Sequence, residues 1–337
     1  MSSQSLKPTP AKPKRQLLSV VIPCYNESRN IVPFYEHLSQ QLAKINDDDG
    51  LNLTCELIYV NDGSSDDTLE KLYKLASHNP HVKIIDLSRN FGKEIATSAG
   101  IHYATGDAIL TIDADDQHPV ELIPKFIKKW QAGAQVVTGI RLSNQKEGFI
   151  KRYGSKLFYG PFNRLTGSQL VPGSSDFRLI DKVVQAEFLK LTERNRITRG
   201  LIDWIGFKQD YIEYHANARL SGEAGYSVGR LVGLALNSSI SLSLKPLYFS
   251  MYAGAIVLPI SVLLGVFSAI EMLIGDPLGL DITGGGFVII LILFLIGLLL
   301  TSQGIMALYL SHMHTEAQNR PLFIVNHQTS RGLGDKD

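Results

Sequence analysis

The sequence predicts an α/β domain built on a mostly parallel sheet, followed by two membrane-crossing helices. Three observations predict it. Between Leu17 and Arg141, apolar runs of five to eight residues alternate with longer amphipathic segments, as expected for strands buried on both faces and covered by helices. Polar clusters follow four of those runs. Lysine and arginine, which recur from Lys7 to Lys245, are absent for the next 74 residues, until Arg320.

Residues 1–16 are polar, basic and proline-rich, without the apolar core of a secretory signal, and are expected to be a flexible tail. Strands are expected at Leu17–Pro23, Leu53–Val60, Val82–Leu87, Ala108–Ile112 and Ala134–Thr138. Helices are expected at Ser28–Lys44, Asp66–His78, Lys93–Ala104 and Pro119–Gln131, Pro119 suiting a first helical turn. The catalytic domain would occupy residues 17–227, and residues 228–246 would form an amphipathic juxtamembrane segment along the bilayer surface.

Leu247–Ile274 and Phe287–Leu310 each hold about 24 mainly apolar residues, roughly 36 Å as helix, enough to span a bilayer. The connector 275–286 carries Asp276 and Asp281 but no cation, whereas Lys245, Arg320, Arg331 and Lys336 flank the pair. The positive-inside rule then places the connector outside and both termini, including a tail of residues 311–337, in the cytoplasm. The expectation is a multi-pass protein of the inner (plasma) membrane.

The net charge of +1 over 337 residues and a 45% hydrophobic content exclude a wholly disordered chain, and no nucleic-acid partner held by bulk positive charge is expected. Cys24 and Cys55 lack metal-ligand spacing, and a reducing compartment disfavours their pairing. Neither a Gly-x-Gly-x-x-Gly fingerprint nor a P-loop occurs, and no Ser-His-Asp or Cys-His constellation is recognisable. In open α/β sheets ligands bind beyond the carboxyl ends of the strands. The clusters there are Pro23–Glu27, Asn61–Asp66, Ser88–Lys93 and Asp113–Asp115. Asp113 and Asp115, two residues apart, offer hard oxygen ligands to Mg²⁺ or Mn²⁺, whose other positions would go to phosphate and water.

Val21-Ile-Pro-Cys-Tyr-Asn-Glu27, Val60-Asn-Asp-Gly-Ser-Ser-Asp-Asp-Thr68, Arg89-Asn-Phe-Gly-Lys93 and Ile112-Asp-Ala-Asp-Asp-Gln117 together resemble the family 2 glycosyltransferases of GT-A fold. The resemblance covers about Leu17 to Phe249. It is strongest to the polyprenyl-phosphate branch of bactoprenol glucosyltransferase and dolichol-phosphate mannose synthase, and the two apolar spans look like the former. It implies that Pro23, Tyr25, Glu27 and Asp62 surround the base and ribose, that Asp66 caps the next helix, and that Gly92 and Lys93 approach the diphosphate. Asp113 and Asp115 match the metal pair, and Gln117 a neighbouring position that orients donor or acceptor. Asp176 fits the position of the catalytic base; because an acceptor phosphate is already mostly ionised at pH 7, its role is either to deprotonate the nucleophile or to orient it. Arg141, Arg178 and Arg219 match the acceptor-phosphate side. The chain departs from the branch at His118, where an Asp is common, and at Ala224-Gly225, where Ser-Lys is usual before the Tyr.

The resemblance therefore implies inverting transfer of a hexose, glucose from UDP-glucose, to a membrane polyprenyl phosphate, by a homo-oligomer such as a tetramer. The alternatives are a GDP-mannose enzyme of the dolichol-phosphate type and a catalytically silent membrane scaffold.

Overall fold

A computed structural model describes residues 15–47, 51, 53–142, 171, 173–194, 196–217, scattered positions from 256 to 274, and 284–333. Seven strands, β1 (Gln16–Cys24), β2 (Leu53–Asn61), β3 (Val82–Asp86), β4 (Ala108–Thr111), β5 (Val136–Arg141), β6 (Ser174–Asp181) and β7 (Gln209–Tyr214), form one sheet. Its order is β3-β2-β1-β4-β6-β5-β7. Only β6 runs antiparallel to its neighbours. The helices are α1 (Ser28–Asp47), α2 (Thr68–His78), α3 (Lys93–Tyr103), α4 (Ile123–Gln131), α5 (Lys182–Phe188), α6 (Thr198–Ile205) and α7 (Gly284–Ala317).

Alternation along the strands divides the core in two. Val20, Ile22, Leu57 and Tyr59 pack on one face with Phe34 and Leu38 of α1, Leu72 of α2 and Phe126 of α4. Val21, Ile58 and Val60 point the other way, toward Ala96 and Ala99 of α3, Phe188 of α5 and Leu201 of α6. Because both faces are covered, the central strands are mostly apolar, and each fully buried large side chain contributes about 1.5–3 kcal/mol.

At the amino-terminal end of the sheet, buried Glu56 binds Lys83 Nζ at 2.6 Å, the Thr105 amide at 2.7 Å and the Ser19 hydroxyl. Burial alone would raise its pKa, but these partners outweigh burial and bring it below the ordinary glutamate value. The carboxylate thereby ties β1, β2, β3 and the start of β4 together.

The five expected strands are present. Two more, β6 and β7, extend the sheet, and β6 inserts between β4 and β5. The chain steps outward from β1 to β2 and β3, then returns through α3 to β4 on the other side of β1. The crevice of such a sheet lies at that reversal, outside the carboxyl ends of β1 and β4.

The chain divides into two compact units: residues 1–149, 170–224 and 321–337 make one, and residues 150–169 and 225–320 the other. In the second, α7 has 34 residues, and its Phe294–Ala317 portion is long and apolar enough to cross a membrane, with mean hydropathy 1.7 and, among its described side chains, only Tyr309 buried. It continues past the expected end at Leu310. The other expected span, the connector and the juxtamembrane segment fall largely or wholly outside the described residues, although Ile256, Ile260, Leu263, Phe267 and Ile270 are helical and exposed.

The C-terminal tail is more ordered than a free tail. Within the first unit it pairs antiparallel with the edge strand β3, through bridges Ile84–Arg331 and Leu87–Val325. That covers backbone groups an edge strand otherwise leaves open.

Candidate active site at the carboxyl edge of the sheet

The loop after β1 is fixed by the loop after β2. Asn26 adopts φ 54°, its amide donates to Ser64 Oγ at 3.0 Å, and its Oδ1 accepts from the Ser65 amide at 2.9 Å. Asp66 serves two helix starts, accepting from the Thr68 amide at 3.1 Å and the Ser28 amide at 3.2 Å, which satisfies donors that a first turn leaves unpaired. Tyr25 stands exposed beside this bracket and Pro23 lies within β1. Glu27 accepts from Asn30 Nδ2 at 2.5 Å. Burial, helped by nearby Asp115 and Asp113, raises the Glu27 pKa despite that bond.

Asp62 is only 2% exposed, and its two oxygens accept from the Phe91 amide at 2.7 Å and the Gly92 amide at 2.9 Å. Burial raises its pKa against the pull of those amides. In this structure, then, its carboxylate holds the loop after β3. Gly63 lies beneath the same loop: a Cβ there would come within 2.5 Å of the Arg89 carbonyl carbon and the Asn90 nitrogen. Gly92, at φ 98°, makes the left-handed turn that starts α3.

Lys93 follows at the head of α3. Its Nζ lies 2.7 Å and 2.8 Å from the two oxygens of Asp113 and 2.7 Å from Asp176 Oδ2. Burial disfavours the ammonium, but the two carboxylates more than compensate and raise its pKa above the lysine range. Asp176 answers in kind: burial would raise its pKa, yet Lys93, with Arg199 and His118 behind it, brings it down to about 2. Asp115 Oδ1 accepts from the Gln117 amide at 3.1 Å, and the Gln117 carbonyl accepts from the Asn217 amide at 3.1 Å.

His118 is buried, stacked on Phe177 with centroids 5.2 Å apart, and its Nδ1 accepts from the Asp113 amide at 3.2 Å. Burial lowers its pKa. A neutral ring packed on an aromatic suits this place, where an Asp would add a third carboxylate to the pair.

On the acceptor side, Arg141 ends β5 exposed to solvent, and Arg219 lies outside the described residues. Arg178 is instead 2% exposed, its Nη1 donating to Asp203 Oδ1 at 2.9 Å and to the Arg199 carbonyl at 3.1 Å. Its Nε and Nη2 are buried without a hydrogen-bond partner. Lys93, Glu94, Asp176, Arg178, Thr198 and Arg199 line one small cleft. Glu94 and Arg199 were not singled out as site residues by sequence reasoning. The one signal in the sequence analysis was the adjacency of Glu94 to Lys93.

Asp113 and Asp115 are hard oxygen donors, and no cluster of three or more protein metal-ligating groups occurs among the described residues. Two carboxylates fit a divalent cation that completes its shell with phosphate and water. The structure brings together Pro23, Tyr25, Glu27, Asp62, Gly92, Lys93, Asp113, Asp115, Gln117, Asp176 and Arg178 at or just behind one sheet edge; Arg141 ends a strand farther along it.

A GT-A sheet with paired aspartates beyond β4 and a lysine on the loop after β3 defines a glycosyltransferase. More particularly, the chain belongs to glycosyl transferase family 2, whose sequence profile matches residues 19–186. It is 39% identical over 309 residues to an uncharacterized glycosyltransferase of Synechocystis sp., covering 92% of this chain and 94% of the relative. It is 34% identical over 311 residues to the SfII prophage-derived bactoprenol glucosyl transferase of Shigella flexneri, covering 91% and 97%. Among solved structures it is similar to glucosyl-3-phosphoglycerate synthase of Mycobacterium tuberculosis, at 17% identity and TM-score 0.44, over 67% of this chain and 78% of that one.

Proposed function

We propose that this protein transfers glucose from UDP-glucose to the phosphate of a membrane polyprenol, with inversion at the anomeric carbon. The observation that carries the reading is the extent of the likeness to bactoprenol glucosyl transferases. It covers 91% of this chain, more than the catalytic domain alone, so it reaches into the apolar segments. The exposed apolar surface of α7 supports a membrane location, with the second span and a cytoplasmic catalytic domain as part of the same reading.

In this scheme Tyr25, Glu27 and the bracket around Asn26 receive the nucleoside, and Gly92 lets the backbone approach the diphosphate. Asp113 and Asp115 would hold Mg²⁺ or Mn²⁺, which supplies charge neutralisation for the departing diphosphate when bound. Lys93 adds a point charge to the same group. The unpaired Nε and Nη2 of Arg178, with Arg141 and Arg219, would take the acceptor phosphate. Asp176, ionised and held by Lys93, orients that acceptor; a carboxylate with a pKa of about 2 is a poor proton acceptor. Positioning and electrostatic stabilisation account for the rate, and no protein nucleophile is required. A homo-oligomer, with a tetramer as the specific form, belongs to this proposal.

The test is to place the full chain in liposomes containing polyprenyl phosphate, with Mg²⁺ or Mn²⁺, and to offer UDP-glucose, other UDP-sugars and GDP-mannose. The expected product is a polyprenyl-phosphate hexose formed from UDP-glucose, detected by mass. Product from GDP-mannose alone overturns the donor, and UDP binding without any lipid product overturns the reaction.

A further inference from the structure

Asp86, the last residue of the edge strand β3, uses every hydrogen-bonding group it has, and most of its partners come from the far end of the chain. Its amide donates to Ser330 Oγ at 3.0 Å and its carbonyl accepts from the Asn326 amide at 2.8 Å. Oδ2 accepts from Thr329 Oγ1 at 2.5 Å, and Oδ1 accepts from Asn61 Nδ2 at 2.7 Å. Asp86 and Ser330 are each 7% exposed. A buried carboxylate deprived of such partners is costly, so the conformation here depends on the tail. Thr329 is held in turn, its carbonyl accepting from Tyr73 Oη at 2.6 Å.

The loops joined by this junction are those that build the donor side. Asn61 precedes Asp62, whose carboxylate binds the Phe91 and Gly92 amides. The Ser88 amide, where the loop after β3 departs, donates to the Ile324 carbonyl at 2.9 Å. Phe323 and Val325 pack with Phe91 in the apolar cluster under α3, Phe323 lying 5.9 Å from the ring of His102. The tail thus holds both ends of a short path: Ser88 at the start of the loop, and Asn61 beside the residue that clamps its finish. Lys93, at the finish, is the group that meets Asp113 and Asp176.

We propose that Ile324–Arg331 is a positioning element of the donor site: Thr329, Ser330 and Asn326 fix Asp86 and Asn61, and through Asp62 they set the loop that delivers Lys93. The donor role of that loop rests on the function proposed above. The segment also follows α7 in sequence, with only residues 318–320 between Ala317 and Pro321.

The test uses the full-length protein with Thr329→Val and Ser330→Ala combined, and Thr329→Ser as the conservative control that keeps a hydroxyl. Hydrogen exchange at the Phe91 and Gly92 amides reads the loop directly. The double variant is expected to speed exchange there by about tenfold or more, as for loss of bonds to a buried charged group, while the core amides of β1 keep their protection and T329S resembles the parent. In the same samples the KM for UDP-glucose should rise about tenfold with the acceptor KM nearly unchanged, as for loss of donor-side ordering alone. Unchanged exchange at Phe91 and Gly92 in the folded double variant overturns the proposal, as does an equal loss of protection throughout β1, which marks general destabilisation. If exchange rises but the parent binds no nucleotide, the donor-site reading fails while the link from tail to loop stands.

Discussion

Lys93 and Asp176, 83 residues apart in sequence, meet at 2.7 Å because β6 inserts beside β4. The lysine holds Asp113 as well, so one ammonium joins the carboxylate proposed to hold metal to the one proposed to orient the acceptor. Asp176→Asn should therefore leave metal-dependent UDP affinity within about twofold while lowering kcat about 100-fold, since orientation and not donor binding is removed. Calorimetric titration with UDP and steady-state kinetics check this. A collapse of UDP affinity would assign Asp176 to the donor site.

With its pKa at about 2, Asp176 stays ionised across the working range and contributes no acidic limb there. The limb expected in kcat/KM, near pH 6, belongs to the second ionisation of the acceptor phosphate. It should persist at the same pH in Asp176→Asn, at a lower plateau. Its disappearance in that variant would make Asp176 the proton acceptor.

Asp115→Asn removes charge from the pair that would hold Mg²⁺ or Mn²⁺. UDP should bind the variant at least about tenfold more weakly with metal, and about equally without it. Titration of both proteins with and without EDTA distinguishes these outcomes.

Glu56→Gln should lower unfolding stability by about 3 kcal/mol at pH 7, because it breaks a largely buried pair with Lys83. The folded-state pKa of Glu56 is depressed. Its contribution is thus full above the unfolded value, near 4.3, and fades as pH falls through the folded one. Urea unfolding of parent and variant between pH 7 and pH 3 should show the gap closing toward acid.

The proposed topology is tested in a chain lacking Cys24 and Cys55. A cysteine replacing Gly284 should react with an impermeant thiol reagent outside intact cells, and one replacing exposed Gln328 only after permeabilisation. The reverse pattern would contradict a cytoplasmic donor site.

Strands β1 to β5 were legible because strands buried on both faces read as nearly continuous apolar runs, a signal needing no partner to be read. The four polar clusters were legible for the same reason, standing where those runs stop. β6 hid its nature: Asp176 and Arg178 alternate with Phe177 and Leu179, so a strand carrying site residues reads as a motif. β7 is a short edge strand in which only Ile212 and Tyr214 are buried. The docked tail left no local trace, since four apolar residues, Leu322–Val325, and a few hydroxyls become informative only beside β3. Arg178 matched the acceptor-phosphate side by resemblance alone; its burial and its pairing with Asp203 depend on α6, which sequence spacing did not place against β6.

The long separation of Asp86 from Ser330 also sets a timetable for the nascent chain. When Asp86 leaves the ribosome, its partner is 244 residues from being made, a wait of roughly 10–50 s at ordinary rates of synthesis. Throughout that interval β3 is an uncovered edge able to pair with other chains, and the stretch translated meanwhile includes both long apolar segments, Leu247–Ile274 and Phe287–Leu310. The edge is covered only when residues 324–331 emerge, after both of those segments. Synthesis interrupted between Tyr214 and Ile324 would leave the seven-stranded sheet with β3 as a raw edge, open to pairing with other chains.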